Sequence, residues 1–412
     1  MILRQKIYNF LKWSEKYTGT DMIYLARGGS WLTFGRTVEM LSGLGIMVAF
    51  GFFVSKETFG AYQYILSMTA IIGIFSLSGI DAALVRTVAR GNEKMLVPCF
   101  KEKLKWGSIV SLISLIISFW YFSQQNFQLG LSFLIVALFL PLINAFLVSF
   151  GFWQGKKRFD IYNKYYIFYF LLSTFLLFIA IILTKNLSWL VLGHFLGLAL
   201  AGFIIYKLTV KKTSGGKEEK ETISFGKHLT LMNAAVTFSG YIDKIILWKF
   251  LGPVSVAIYT FSERPVLKFK NLIPISALAL PKLSQADIKE IKKSLFKKFL
   301  KLFSGAGLLA LIYILICPYI FKILFPAYLD SVLYSQILAI ILIFSPFELL
   351  TTSLLAAMKK KELYLIQTAA PLLKIILFLV LIPLFQIWGA VFSVLISQTL
   401  NGLLILYFFL KI

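Results

Sequence analysis

The sequence predicts an all-α integral membrane protein: about twelve transmembrane helices in two six-helix lobes related by a pseudo-two-fold axis along the membrane normal. Three observations predict it. The 412 residues are 59% hydrophobic with a mean hydropathy of +0.83. Lys and Arg number 42 against 18 Asp and Glu, a net charge of +24. The basic residues collect in every second gap between long apolar runs and nearly vanish from the gaps between, which is the positive-inside pattern of a multi-pass protein.

A hydrocarbon core of about 30 Å needs roughly 20 apolar residues per helix. Runs of that length fall at 31–54, 60–82, 104–123, 129–151, 165–184, 188–208, 228–250, 254–279, 299–321, 332–357, 364–384 and 387–410. Ahead of them, residues 1–29 hold Ile7, Phe10, Leu11 and Trp13 among Lys6, Lys12 and Lys16. This arm is too polar for a signal peptide and is expected to lie as an amphipathic helix on the inner leaflet. The basic gaps are this arm, Arg86 to Lys105, Lys156 to Lys164, Lys207 to Lys227, Lys282 to Lys301, Lys359 to Lys361, and Lys411. The gaps between them, such as Ser55–Thr58 and Thr184–Leu187, are short and carry few charges. Both termini are therefore expected on the cytoplasmic side of a bacterial or archaeal cytoplasmic membrane.

Thr209–Thr222, with Ser214–Gly215–Gly216 at its centre, is polar and turn-rich and reads as a flexible linker. It divides the chain into the arm (1–29), an N-terminal lobe (30–208), a linker (209–223) and a C-terminal lobe (224–412). The lobes resemble one another. Phe34–Gly35–Arg36 matches Phe225–Gly226–Lys227, Phe59–Gly60–Ala61–Tyr62 matches Val256–Ala257–Ile258–Tyr259, and Gly155–Lys156–Lys157–Arg158 matches Met358–Lys359–Lys360–Lys361. Six spans per lobe give both the same orientation, and parallel repeats of this kind place a substrate path at their interface.

Several stretches point to a family. Gly35–Arg36, Phe59–Gly60–Ala61–Tyr62 and Gly79–Ile80–Asp81–Ala82–Ala83–Leu84–Val85–Arg86 resemble the N-terminal signature of the Wzx-type polysaccharide and O-antigen flippases. Tyr241–Ile242–Asp243–Lys244 to Leu251–Gly252, Tyr259 and Leu280–Pro281–Lys282–Leu283–Ser284 resemble that family's seventh and eighth spans. The family belongs to the MOP exporter superfamily, which includes the MATE-like fold. The resemblance implies two six-helix lobes around a central cavity. It also implies movement of undecaprenyl-pyrophosphate-linked oligosaccharide from the inner to the outer leaflet by alternating access. The chain departs from the family at Ser55–Lys56–Glu57–Thr58, where a basic residue and a Gly-Pro-rich turn are usual.

Charge at the centre of a lone transmembrane helix costs at least ~2.5–3.5 kcal/mol, so intramembrane ions mark function by default. Arg36 and Glu39 in the first span are three apart and share a helical face. They could receive the anionic end of a lipid-linked substrate, or Arg36 could snorkel to headgroups. Gly226, Thr230, Asn233, Thr237, Gly240 and Lys244 trace one polar stripe along the seventh span, suited to a water-lined wall or to close helix packing. Asp243–Lys244 and Glu263–Arg264 lie at similar depth and could form an ion-pair cluster, static or gating. An ion pair is the simplest account of Glu348 and Lys374.

Arg36, Lys244, Arg264, Lys374, Asn233 and Thr237 are the candidate substrate contacts. Glu39, Asp243, Glu263 and Glu348 are the candidates for gating or for coupling to a proton or sodium gradient. No other cofactor and no metal is expected. The chain lacks a Gly-rich phosphate loop, a His-Glu metal pair, a nucleophile elbow and large outer loops, so a transporter is expected rather than an enzyme. The expected partners are lipid-linked oligosaccharide, membrane lipids and other glycan-assembly membrane proteins; the basic excess needs no nucleic acid. The alternatives are a cation antiporter of the same superfamily, which would want an acidic cavity, and a membrane glycan polymerase or ligase.

Overall fold

The structure is a computed structural model that describes residues 22–217, 219–270, 283 and 288–411. Most of the expected amphipathic arm and most of the Leu280–Ser284 run lie outside the described residues. Helix dominates, and no strand occurs among the described residues. Among the described residues, eight helical stretches are long and apolar enough to cross a membrane, and Thr37–Phe53, within the first helix, is a shorter apolar one.

In chain order the α-helices are α1 (Met22–Phe53), α2 (Lys56–Ile72), α3 (Gly79–Ala89), α4 (Leu96–Ser123), α5 (Phe127–Phe146), α6 (Val148–Gly155) and α7 (Phe159–Leu183). They continue with α8 (Leu187–Val210), α9 (Lys220–Leu251), α10 (Pro253–Lys270), α11 (Ile288–Leu324), α12 (Val332–Leu338), α13 (Phe347–Ala356) and α14 (Lys360–Leu410).

The predicted spans fall on these helices but not one to one. The run 60–82 is interrupted by a 3-10 turn at Gly73–Ser76 and by Leu77 at φ 59°, and α3 then starts afresh. The run 332–357 contains a 3-10 stretch at Ala339–Phe344, after which Pro346, lacking an N–H, caps α13. The last two runs form one 51-residue helix broken at Gln386, with φ 56° and ψ −133°. Hydropathy misses the first two breaks, because apolar side chains continue through them, whereas the last falls in the gap the sequence leaves between the runs 364–384 and 387–410.

Several hydroxyls inside the apolar helices are satisfied by the carbonyl one turn back. Ser114 Oγ donates to the Val110 carbonyl, Thr260 Oγ1 to Val256 and Ser393 Oγ to Gly389, at 2.7–2.8 Å.

The chain forms two compact units whose boundaries cut through helices. One comprises Met1–Met47 and Ile72–Met232, the other Val48–Ile71 and Asn233–Ile412. The long helices α1 and α9 each contribute to both.

In the first unit, α4 and α5 are stitched by Ser118 Oγ to the Gly130 carbonyl and Ser111 Oγ to the Ala137 carbonyl, both at 2.7 Å. Helices α7 and α8 meet through Gly193 and Gly197, where an added Cβ would lie 2.9 Å from the Leu176 carbonyl oxygen and 2.5 Å from Ser173 Cα. Such small-residue contacts let helices associate where lipid supplies no hydrophobic drive. At one end of the unit, Ile80, Leu84, Leu96, Cys99, Val148 and Phe152 form a buried core. Beside it, Lys103 Nζ reaches both oxygens of Asp81 at 2.8 and 2.7 Å, with only 1% of the Lys103 side chain exposed. Lys103, one of the basic residues that signalled topology, is thus a buried structural ion.

The linker does not trail free. Ser214 N–H and Oγ donate to Glu93 Oε2, Lys94 N–H to the Gly215 carbonyl and Lys217 N–H to Asn92 Oδ1, while Asn92 Nδ2 reaches Glu219. Turn composition fits either a loose or a docked segment, and the acceptors that dock this one lie more than 100 positions away.

In the second unit, α2 crosses the start of α10 so closely that a Cβ on Gly60 would overlap the Pro253 carbonyl. Phe59, Phe261, Phe325 and Tyr328 build an aromatic core there, with Phe261 and Tyr328 stacked at 3.6 Å between centroids. Lys56 Nζ meets Asp330 Oδ2 at 2.7 Å, tying the α1–α2 turn to Pro326–Ser331. So the non-family residue Lys56 has a structural partner.

The repeat leaves a mark on the backbone. Lys157 and Met358 are both left-handed, at φ 55° and 53°, and end α6 and α13 with the same hydrogen-bond pattern. Lys185 and Gln386, at φ 53° and 56°, recur at the same 201-residue interval. That interval shifts the basic-turn pairing by two residues from the sequence match: Gly155 corresponds to Ala356, and Arg158 to Lys359. The two runs of lysines align by composition, whereas the turn conformation fixes the register.

Candidate functional site

Helix α9 carries the polar stripe, and the structure divides it into three parts. Gly226 and Thr230 are buried in the first unit, where Thr230 Oγ1 accepts the Gly79 N–H at 2.9 Å. Helix packing accounts for them. Asn233 and Gly240 are exposed, and Thr237, half-buried between them, donates its hydroxyl to the Asn233 carbonyl at 3.1 Å. Lys244, at the end of the stripe, is buried.

Lys244 sits in the second unit, bound on two sides. Its Nζ lies 2.9 Å from Glu263 Oε2 and 3.3 Å from Asp243 Oδ2, and 5.4 Å from the centre of the Tyr259 ring. Asp243 is fully buried, and its Oδ1 accepts the Lys244 N–H at 2.8 Å. The connection explains the meeting: α9 ends at Leu251, Gly252 turns at φ +79°, and Pro253 opens α10. A Pro at the first helical position loses no hydrogen bond. Residues 243–244 and 263 then return to the same level from a one-residue turn.

Arg264 takes a different partner. Its Nη2 donates to Gln63 Oε1 at 2.7 Å, and Gln63 is 2% exposed. Sequence reasoning missed Gln63, although an amide inside the apolar run 60–82 was the available signal. Lys374, half-buried on α14, lies 5.2 Å from the Phe378 ring centre, and its charge acts on both Asp243 and Glu263. Three cations, Lys244, Arg264 and Lys374, therefore stand against two carboxylates in one apolar unit.

Glu39 belongs to the first unit, where Tyr166 Oη donates to its Oε2 at 2.8 Å. The Arg36 side chain lies outside the described residues. Glu348, on α13, borders a cavity with Lys270, and its charge acts on that lysine. Sequence reasoning missed Lys270 as well, although a lysine within the apolar run 254–279 signals as an intramembrane charge does. Cys99 and Cys317 are both buried and unbonded. No group of three or more metal-ligating side chains occurs among the described residues.

The arrangement is a net cationic cluster inside a helical membrane unit, flanked by exposed amide and hydroxyl groups. It can bind an anion by exchanging its own carboxylates for the ligand's charge.

The fold has known counterparts. The chain is similar to a lipid II flippase MurJ in an inward closed conformation, at 16% identity and a TM-score of 0.70, over 93% of this chain and 87% of that one. It is also similar to an outward-facing multidrug resistance MATE family transporter of the MOP superfamily, at 15% identity and a TM-score of 0.63, over 94% of each chain. A third is a MOP superfamily transporter from Pyrococcus furiosus Vc1, described by a reverse polarity of its binding pocket, at 14% identity and a TM-score of 0.57, over 94% and 93%. None of the curated proteins matches it in sequence. Residues 25–287, well over half of the chain, match the family described as polysaccharide biosynthesis protein, and the chain belongs to that family.

Proposed function

We propose that this protein is a flippase that carries undecaprenyl-pyrophosphate-linked oligosaccharide from the inner to the outer leaflet of the cytoplasmic membrane. Membership of a polysaccharide biosynthesis family narrows the cargo to glycan assembly. The observation that carries the reading further is the cationic excess at Lys244, Arg264 and Lys374, which suits a pyrophosphate or acidic sugar and opposes an organic cation.

In this reading Lys244, held by two carboxylates, is moderated rather than free. Moderation matters, because a site that binds too tightly does not release on the far side. Arg264 is hydrogen-bonded to a neutral amide rather than to a carboxylate, although its charge also acts on Glu263. Asn233 and Thr237 offer hydrogen bonds along the open part of α9. Arg36 and Glu39 are proposed as substrate-binding and coupling residues of the first unit, and Asp243, Glu263 and Glu348 would take the coupling proton or sodium ion. Both termini face the cytoplasm, as the sorted charges indicate.

The test is loss of the gene. Lipid-linked glycan should accumulate on the inner leaflet and surface polysaccharide should fall, with both restored by the intact gene. Unchanged glycan distribution together with lost efflux of cationic dyes would replace this reading by the antiporter.

A further inference from the structure

The second unit contains a cavity of about 250 Å³ where α10, α13 and the second arm of α14 meet. Its polar lining is Lys270, Ser345, Glu348, Thr351, Gln398 and Asn401. Phe347 and Gly402 complete one wall, and a Cβ on Gly402 would press on the Phe344 and Phe347 rings at 3.2 Å. We propose that this cavity is a binding site for one hydroxyl-rich pyranose ring of a glycan, separate from the charged cluster.

The lining selects the ligand by its hydrogen-bond balance. Asn401 Oδ1 is buried with no partner, and such an acceptor costs free energy until something donates to it. Ser345 Oγ and Thr351 Oγ1 already donate to the Leu342 and Phe347 carbonyls, at 2.7 and 3.1 Å, so both are left as acceptors. A ligand must therefore bring several donors, which sugar hydroxyls do and which a phosphate or carboxylate does not. Lys270 supplies ammonium donors for ring oxygens, and the same charge opposes a metal cation. Phe347 adds an apolar side chain to the lining, beside these polar groups. The volume falls just below the usual range of ligand pockets, roughly 300–1,000 Å³, which suits one ring rather than a chain.

Position supports the same ligand. Lys270 lies six residues beyond Arg264 on α10, about 9 Å along the helix. Lys374 acts electrostatically on both sides of that interval. One glycan could thus hold its charged end at the cluster and a sugar in the cavity. That last step rests on the proposed flippase function, whereas sugar binding by the cavity does not.

The test is saturation-transfer NMR on the full-length purified chain, with free neutral hexoses, N-acetylhexosamines and hexuronic acids at millimolar concentration. The proposal expects ring-proton saturation from at least one neutral sugar. It also expects a loss of roughly tenfold or more in apparent affinity in Gln398→Leu/Asn401→Leu. Gln398→Leu alone, at a half-buried position, serves if the double variant aggregates, and Asn401→Asp, which keeps an acceptor, should retain binding. No saturation from any sugar on the wild-type chain would overturn the site, as would equal binding by well-folded leucine variants or binding of hexuronic acids alone. The leaflet assay above reads the transport function independently, so bound sugar without glycan accumulation would retire the flippase and keep the site.

Discussion

Lys244→Met is the sharpest perturbation of the charged cluster. In the native chain one ammonium lies 2.9 Å from Glu263 and 3.3 Å from Asp243, and Asp243 has no exposed surface. Methionine keeps the length of the side chain and removes its charge, leaving two carboxylates facing each other in an apolar unit. Breaking a buried pair from one side typically costs about 3–5 kcal/mol, because the remaining charge has neither water nor partner. Replacing both partners by neutral groups costs far less. Lys244→Met should therefore lower the melting temperature of the purified chain by several degrees, and Lys244→Met/Glu263→Gln should recover most of the loss. The assay is thermal unfolding in detergent, followed by intrinsic fluorescence at one fixed scan rate, since membrane-protein melts are often irreversible. The two single variants and the double variant also form a cycle whose coupling should reach about 2–3 kcal/mol, the upper part of the range for contacting residues. A single variant that melts with the wild type, or a double variant no better than the single, would refute the claim that Lys244 neutralises these carboxylates.

Three further outcomes follow from particular contacts. Lys103→Met should destabilise by ~2–3 kcal/mol, less than a fully buried pair because the Asp81 side chain keeps 28% of its exposure; an unchanged melt would show the pair to be dispensable. Gly60→Ala should cut folded yield sharply, because its Cβ meets the Pro253 backbone carbonyl, which cannot swing aside as a side chain would; normal yield and melt would mean that α2 and α10 do not cross so closely. Asn92→Ala removes both of its hydrogen bonds to the linker, so trypsin should cut near Lys211, Lys212 and Lys217 several-fold faster, and an equal cleavage rate would show that the linker is held elsewhere.

What the sequence made legible was whatever depends on local composition. Apolar run length marked the membrane helices, and charge sorting marked the alternate gaps, because both are read residue by residue. The meeting of Lys244 with Glu263 was also within reach, since the turn at Gly252–Pro253 fixes the return of α10 against α9. The break at Leu77, inside the run 60–82, was not legible, because leucine does not demand a positive φ and packing imposes it, whereas the one at Gln386 fell in the gap between two runs. Gln63 and Lys270 stood in plain view as polar residues in apolar runs. Their roles depend on Arg264 and on Gln398 and Asn401, more than 100 positions away, and no spacing rule connects such distances. The polar stripe on α9 shows the same limit from the other side. One helical period produced it, yet its two ends are buried for different reasons, helix packing at Thr230 and charge neutralisation at Lys244.

The central claim is movement of a lipid-linked glycan by this chain alone, and reconstitution reads it most directly. The purified protein is placed in liposomes with lipid-linked oligosaccharide, both leaflets are loaded, and the fraction reached by an added impermeant glycosidase is followed over time. The account predicts that the inner-leaflet half becomes accessible in protein-containing liposomes, under an imposed proton or sodium gradient, and stays protected in protein-free ones. It also predicts slower transfer for Arg264→Gln/Lys374→Gln at equal reconstituted amounts. An inner-leaflet half that remains protected with the folded wild-type chain under both gradients would contradict it.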